Sequence, residues 1–189
     1  MQPLAVVSRH LTLDELQAGL AAMGDSPIDH GTLEMIVCRP ASGERILSET
    51  GMLDLSEGLV GDNWYTRGSK MTPDGTAHPE MQITLMNSRV IQLFAQDRAC
   101  WAWAGDQLYV DIDLSIDNLP PGQRIAIGGA VLEISTLPHT GCAKFTDRFG
   151  HDATRFVNLP EGKHARRRGV NTQVVQPGAI TVGDTIIKL

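Results

Sequence analysis

The segment Pro138-His139-Thr140-Gly141-Cys142-Ala143-Lys144-Phe145 holds the residues best suited to chemistry. It leaves a strand-like apolar run and enters a stretch of helical spacing, so Cys142 is expected near unsatisfied helical N–H groups, with the Lys144 ammonium two residues on. Helix terminus and cation both favour thiolate over thiol, the form that attacks electrophiles, ligates metals or carries sulfur as a persulfide. Free cysteine is also among the most buried residue types, so a small packed thiol is the competing reading. His139 and Cys142 form H-x-x-C, to which His151, Asp152 and His164 would add ligands, but structural zinc sites draw on two paired sets. Otherwise His139 is a base beside the thiol or a solvated loop residue. A cysteine hydrolase would also need an orienting residue and an oxyanion hole, and no motif supplies them. Cys38, within an apolar strand-like run, and Cys100, ending an apolar helical run beside Trp101, read as core.

Two further motifs bear on ligands. Lys163-His164-Ala165-Arg166-Arg167-Arg168-Gly169 is the one dense basic cluster, and arginine there offers bidentate hydrogen bonds to a phosphate or another anion; the alternative is an exposed basic loop. Gly58-Leu59-Val60-Gly61-Asp62 sets two conformationally permissive glycines around an apolar pair, and Asp62 either accepts hydrogen bonds from a ligand or caps the loop that follows. Gly183-Asp184 reads as a hairpin turn.

The elements that must position these residues belong to a chain of 189 residues, which fits one domain large enough to bury a core without disulfide or metal. Only 5% of residues are aromatic, so aliphatic side chains must carry that core. A net charge of −6 removes any general attraction to nucleic acid or an anionic membrane, so an anion site must be local. Residues 1–10 lack a basic segment followed by a long apolar run, and no stretch reaches the apolar length that spans a bilayer, so a cytoplasmic protein is expected. Three cysteines without C-x-x-C argue against a disulfide framework.

Thr12-Leu13-Asp14-Glu15 is a capping box, followed by Leu16, Leu20 and Met23 at helical spacing. Residues 33–38 and 45–55 predict two strands, 58–79 an irregular loop, 83–86 a brief strand, and Asn87 the cap of a helix running to about Cys100. Leu108, Val110 and Ile112 alternate, and residues 125–132 predict a hairpin turning at Gly128-Gly129. Residues 142–156 suit one or two short helices, and 170–189 three strands joined by tight turns. So many short strands predict a mainly β fold, a closed or nearly closed barrel with inserted short helices and an N-terminal helix, because closure removes exposed edges. The last strands lie too close together for the crossovers of a doubly wound sheet.

In this order the segments resemble a MOSC domain, the module named from the carboxyl-terminal part of molybdenum-cofactor sulfurases, in its stand-alone bacterial form. The resemblance is carried by Leu33-Glu34-Met35-Ile36-Val37-Cys38-Arg39-Pro40, Gly58-Leu59-Val60-Gly61-Asp62, Gln82-Ile83-Thr84-Leu85-Met86 and Arg124-Ile125-Ala126-Ile127-Gly128. It continues through Val131-Leu132-Glu133, the turn at residues 139–144, Arg168-Gly169-Val170-Asn171 and Val182-Gly183-Asp184, and spans residues 33–189. It implies a pyruvate-kinase-like barrel over 32–189, preceded by a helical extension over 1–31. It also implies a characteristic cysteine at Cys142, which would accept sulfur as a persulfide or ligate molybdenum, with His139 and Lys144 tuning the thiolate. Arg166 and Arg168 would face the phosphate of a molybdopterin, with Asp62, Thr140 and Gly141 at the same mouth. Where many cofactor-binding members have Arg-Asn or Glu-Asn before a strand, this chain has Gly105-Asp106-Gln107-Leu108. The implied partner is a cysteine desulfurase or another sulfur donor, and no pyridoxal phosphate site is expected. Activity of a sulfurtransferase or a molybdenum-dependent oxidoreductase would follow, the latter as a reductase component for N-hydroxylated substrates. A non-catalytic barrel that docks a small ligand or a partner is the alternative.

Overall fold

In the computed structural model, which describes Val7 and residues 9–189, Thr12 caps helix α1 (Leu13–Ala22). Its hydroxyl accepts from the Glu15 N–H while the Glu15 carboxylate accepts from the Thr12 N–H, so the capping box forms as expected. The expectation of no leader segment rests largely on residues 1–6 and 8, which lie outside the described residues.

Seven strands then close a barrel. They are β1 (Gly31–Cys38), β5 (Ile83–Asn87), β6 (Leu108–Asp111), β7 (Arg124–Ile127), β8 (Ala130–Ile134), β9 (Val170–Gln176) and β11 (Thr185–Lys188). Their order is β11-β7-β8-β9-β5-β6-β1, and β11 returns to β1 at Gly31↔Ile186 and Thr32↔Thr185. Every neighbouring pair is antiparallel except β5 and β6, whose parallel pairing requires a crossover. Helix α3 (Ser88–Ala95) and a 3-10 segment (Arg98–Ala104) supply it. The Gly128-Gly129 hairpin joins β7 to β8 with Ile127 opposite Ala130, as predicted. No described helix is long and apolar enough to cross a membrane.

Residue alternation builds two cores on either side of one wall. Leu33, Ile36, Ile83, Leu85, Leu108 and Val110 point into the barrel and join Ile125, Ile127, Leu132 and Ile186. Their neighbours Met35, Val37, Met86 and Tyr109 point outward and pack with Phe94 of α3, Phe145 and Phe149 of α4 (Ala143–Phe149) and Phe156 of α5 (His151–Asn158). Leu16 of α1 is fully buried in this second core, so the first helix packs on the chain's own helices.

Three local readings change. Residues 45–55 form two strands rather than one: β2 (Ile46–Ser48) extends the barrel sheet beside β1, while β3 (Thr50–Asp54) pairs with β10 (Gly178–Thr181) and β4 (Gly58–Leu59) in a second sheet. Ile46 and Leu47 are both exposed, so the apolar run has no single buried face to keep it straight. The expected loop over 58–79 contains β4 and α2 (Trp64–Arg67). The helix from Asn87 stops at Ala95, because Gln96 turns to φ +61° and the chain continues as 3-10.

A polar plug sits where β5 and β6 meet. The Gln107 side-chain carbonyl accepts from the Thr84 N–H (2.9 Å) and hydroxyl (2.6 Å), and its amide donates to the Gln82 carbonyl (3.0 Å). The Gln82 side chain accepts from the Val174 N–H (2.8 Å) and donates to the Leu55 carbonyl (2.9 Å). These bonds satisfy backbone groups that the ladder leaves unpaired and hold Thr84 in place at the end of the barrel.

Candidate functional site

A cleft of about 620 Å³ opens where the end of the barrel meets the helices, and Cys142, His139, Lys144, Arg168, Thr84 and Asn171 all reach it. Cys142 takes the N-cap position of α4 in extended backbone; its side chain makes no capping hydrogen bond and is exposed. Its carbonyl accepts from the Thr146 N–H (3.0 Å) and hydroxyl (3.2 Å), which fixes the residue at the start of the helix. Gly141 donates to the Asn158 side chain of α5 (3.3 Å), and a Cβ there would press on Thr154, Val157 and Asn158, so the turn is held flat against α5.

The cleft is cationic. Arg39, Arg45, Arg67, Lys144, Arg148 and Arg168 line it, six of the chain's 16 lysines and arginines, while among the described residues Asp147 is the one carboxylate on its walls. Arg39 follows β1 directly and is fixed by Asp62, which accepts from its backbone N–H (2.9 Å), Nε (2.8 Å) and Nη2 (2.9 Å). Asp62 also accepts from the Trp64 N–H (2.9 Å) and so starts α2. Asp62 therefore lies behind the wall, fully buried, rather than at the mouth where the sequence reading set it. What reaches the cleft is the arginine that it orients.

Arg168 is positioned in the same way. Its Nη1 donates to Asp106 (2.7 Å), its Nη2 donates to the Ala104 carbonyl (2.8 Å), and its guanidinium lies 4.9 Å from the Phe145 ring centroid. The other Asp106 oxygen is 3.5 Å from His139 Nδ1. Burial, reinforced by the Arg168 charge, pushes the His139 imidazolium down to about pH 3, so the ring is neutral. A neutral imidazole with so acidic a conjugate acid brings no cation to Cys142, and its Nδ1 faces Asp106; the side chain belongs to the buried Asp106–Arg168 group. Gly169 makes this geometry with φ +96°, and a Cβ there would run into the Leu85 carbonyl.

Arg166 stands outside the cleft. Its guanidinium donates to the Leu114 and Leu119 carbonyls, and its backbone takes φ +47°. Thr140 is exposed and does not line the cleft either, and Gly141, turned against α5, is likewise not among the lining residues. Of the residues considered as extra metal ligands, His164 pairs with Asp117 (2.8 Å) and Asp152 accepts from the Leu13 N–H (3.2 Å). Among the described residues no group of three or more His, Cys, Asp or Glu is placed to hold a metal ion. Burial pushes the Cys38 and Cys100 thiols up, in keeping with their packing.

Sequence reasoning missed Arg39, Arg45, Arg67 and Arg148, which sit far apart in the chain and are gathered by barrel closure. Arg148 had one signal, since it follows Lys144 by four residues and so shares a face of α4 with it. Burial pushes Arg45 and Arg67 below the usual arginine range, and the Arg39 charge adds to both. Neither Arg45, Arg67, Lys144 nor Arg148 forms an ion pair among the described residues. Buried polar atoms are nearly always paired. Yet Asn63 Oδ1, His139 Nδ1, Arg168 Nε and Asn171 Oδ1 have no hydrogen-bond partner among the described residues, and all four residues line this cleft.

A family model of the MOSC domain matches residues 72–187. No curated protein sequence matches. Among solved structures, the YuaD protein from Bacillus subtilis is similar at 18% identity with a TM-score of 0.58, covering 82% of this chain and 93% of its own. A hypothetical protein is similar at 20% identity and a TM-score of 0.58, covering 85% of this chain and 68% of its own. YiiM from Escherichia coli is similar at 16% identity and a TM-score of 0.55, covering 84% and 69%. At these identities the structures attest the barrel fold.

Proposed function

The chain belongs to the MOSC domain family, a family associated with molybdenum-cofactor binding and sulfur transfer, and on that premise we propose that its cleft takes a molybdopterin-type cofactor whose metal is ligated by Cys142. The observation that carries this reading is the meeting of one exposed thiol with six cations in a single cleft of an otherwise acidic protein. The residues fit such a group. Its phosphate would meet the cationic wall, and the unpaired Arg168 Nε and the Asn63 and Asn171 side-chain carbonyls are the donor and acceptors that a pterin edge requires. When bound, the group supplies a metal centre with sulfur ligands, and the protein's part is placement and electrostatics.

Each residue has a definite share in that placement. Arg39 and Arg168 are held by buried carboxylates and so present their remaining donors without reorganising. His139, neutral and turned toward Asp106, adds no second positive charge beside Arg168. Cys142 lines the cleft and is exposed, so its sulfur would be reachable both from the ligand and from outside.

That exposure also supports a second reading, in which Cys142 is a sulfur carrier. The thiolate would attack the outer sulfur of a donor persulfide; a new S–S bond forms, the donor's S–S bond breaks, and the donor leaves as a thiolate, so no external oxidant is needed. Two measurements test these readings. Protein mixed with cofactor released from a molybdoenzyme should retain pterin fluorescence through gel filtration, and Cys142→Ser should lose the metal. Incubation with a cysteine desulfurase and cysteine should add the mass of one sulfur to wild type and none to Cys142→Ala; equal uptake by both would remove Cys142 from the carrier role, as retention of the metal by Cys142→Ser would remove it from the ligand role.

A further inference from the structure

We infer that Gly105 is the floor of an oxyanion subsite within the cleft, separate from the thiol, where Arg45, Arg148 and Arg39 take a phosphate group. Gly105 has φ +95°, and a Cβ built on it would lie 3.9 Å from both Arg45 Nη2 and Arg148 Nη1. Arg39 Nη1 reaches the same residue and donates to its carbonyl. Three guanidinium groups, two from the loop that follows β1 and one from α4, thus converge on one residue that carries no side chain.

The arginines are held by the 3-10 segment that ends at Gly105. Arg45 Nε donates to the Ala102 carbonyl (2.9 Å) and Arg148 Nη1 to the Trp103 carbonyl (2.6 Å). Their guanidinium carbons lie 5.4 and 5.3 Å from the Trp103 ring centroid, so one indole supports both cations. These bonds leave Arg45 Nη2 and the Nε and Nη2 of Arg148 with no partner among the described residues. Asp62 neutralises Arg39, but among the described residues no carboxylate pairs with Arg45 or Arg148, and Asp147, next to Arg148 on α4, is exposed and makes no ion pair. Charges of one sign gathered in a partly buried place repel unless an anion joins them. Forked donors match phosphate oxygens in pairs, which favours a phosphate over a point-like anion.

The site stands on this geometry alone. What carries the phosphate rests on the cofactor reading, in which it would be the ester end of the cleft ligand. Inorganic phosphate, pyrophosphate and phenyl phosphate are therefore titrated at low ionic strength into wild type, Cys142→Ala, Arg45→Gln and Arg148→Gln, followed by calorimetry and tryptophan fluorescence. Phosphate should bind wild type and Cys142→Ala alike, with a fluorescence change, and each arginine variant should bind at least about tenfold more weakly, the loss expected for a charge-assisted hydrogen bond. An ester that binds as well as phosphate assigns the subsite to a larger ligand; binding of the inorganic ion alone assigns it to free phosphate, and either result keeps the subsite. Wild type without saturable binding, or undiminished binding in both arginine variants, would overturn it. If a variant misfolds, wild type is treated with phenylglyoxal: phosphate should protect Arg45 and Arg148 but not the exposed Arg124, and equal modification of all three would count against the subsite. Phosphate binding without molybdenum retention would leave the subsite and remove the cofactor reading.

Discussion

His139 shows how burial next to an ion pair can hold a histidine neutral in a cleft. Its conjugate acid is pushed from 6.5 to about 3, first by burial and then by the Arg168 and Arg39 charges, with Asp106 acting the other way. The sign of the linkage follows. Below about pH 6.5 the unfolded chain binds a proton that the folded ring refuses until about pH 3, so this contribution to stability is complete above 6.5 and is lost as the pH falls toward 3. Urea unfolding across that range should show a fall in wild type that is shallower in His139→Gln; parallel curves would show that the ring is not held neutral. Asp62 was legible as a functional acid but not as the partner of Arg39, because sequence gives no sign of which cation an acid will meet. Removing it by Asp62→Ala strands a buried guanidinium and should cost about 3–5 kcal/mol by chemical denaturation. Cys142 was legible because its proline- and glycine-bounded turn marks the start of a helix within its own few residues.

At the scale of elements, local signals were read well and long-range ones poorly. The capping box of α1, the Asn87 cap and the Gly128-Gly129 hairpin each depend on residues within four positions of one another, and each forms as read. The break at Glu49 depends instead on β10 arriving from the far end of the chain to claim β3. Gly169 joins the two scales, since its left-handed backbone lets β9 pass under the Leu85 carbonyl while Arg168 turns toward Asp106. Gly169→Ala should cost at least about 2 kcal/mol in thermal unfolding, from the disfavoured φ and the clash with backbone. A near-neutral result would show that the strand has room to shift.

For the molecule as a whole, the count of short strands and turns was enough to predict closure, because seven strands of four to eight residues leave too many open edges otherwise. The cationic cleft was not legible. Its basic residues come from residues 39–67 and 144–168, and only the meeting of β11 with β1 and the packing of α4 against the barrel bring them together. The dense cluster at residues 163–169 looked like the anion site because it is contiguous, yet it sends only Arg168 into the cleft. Closure also places the thiol beside these charges, and the proposed function rests on that adjacency. Its most direct test is the molybdenum content of wild type and Cys142→Ser purified gently from cells supplied with molybdate. The account predicts near-stoichiometric molybdenum in wild type and loss of it in the variant; trace metal in wild type, or equal metal in both, would contradict it.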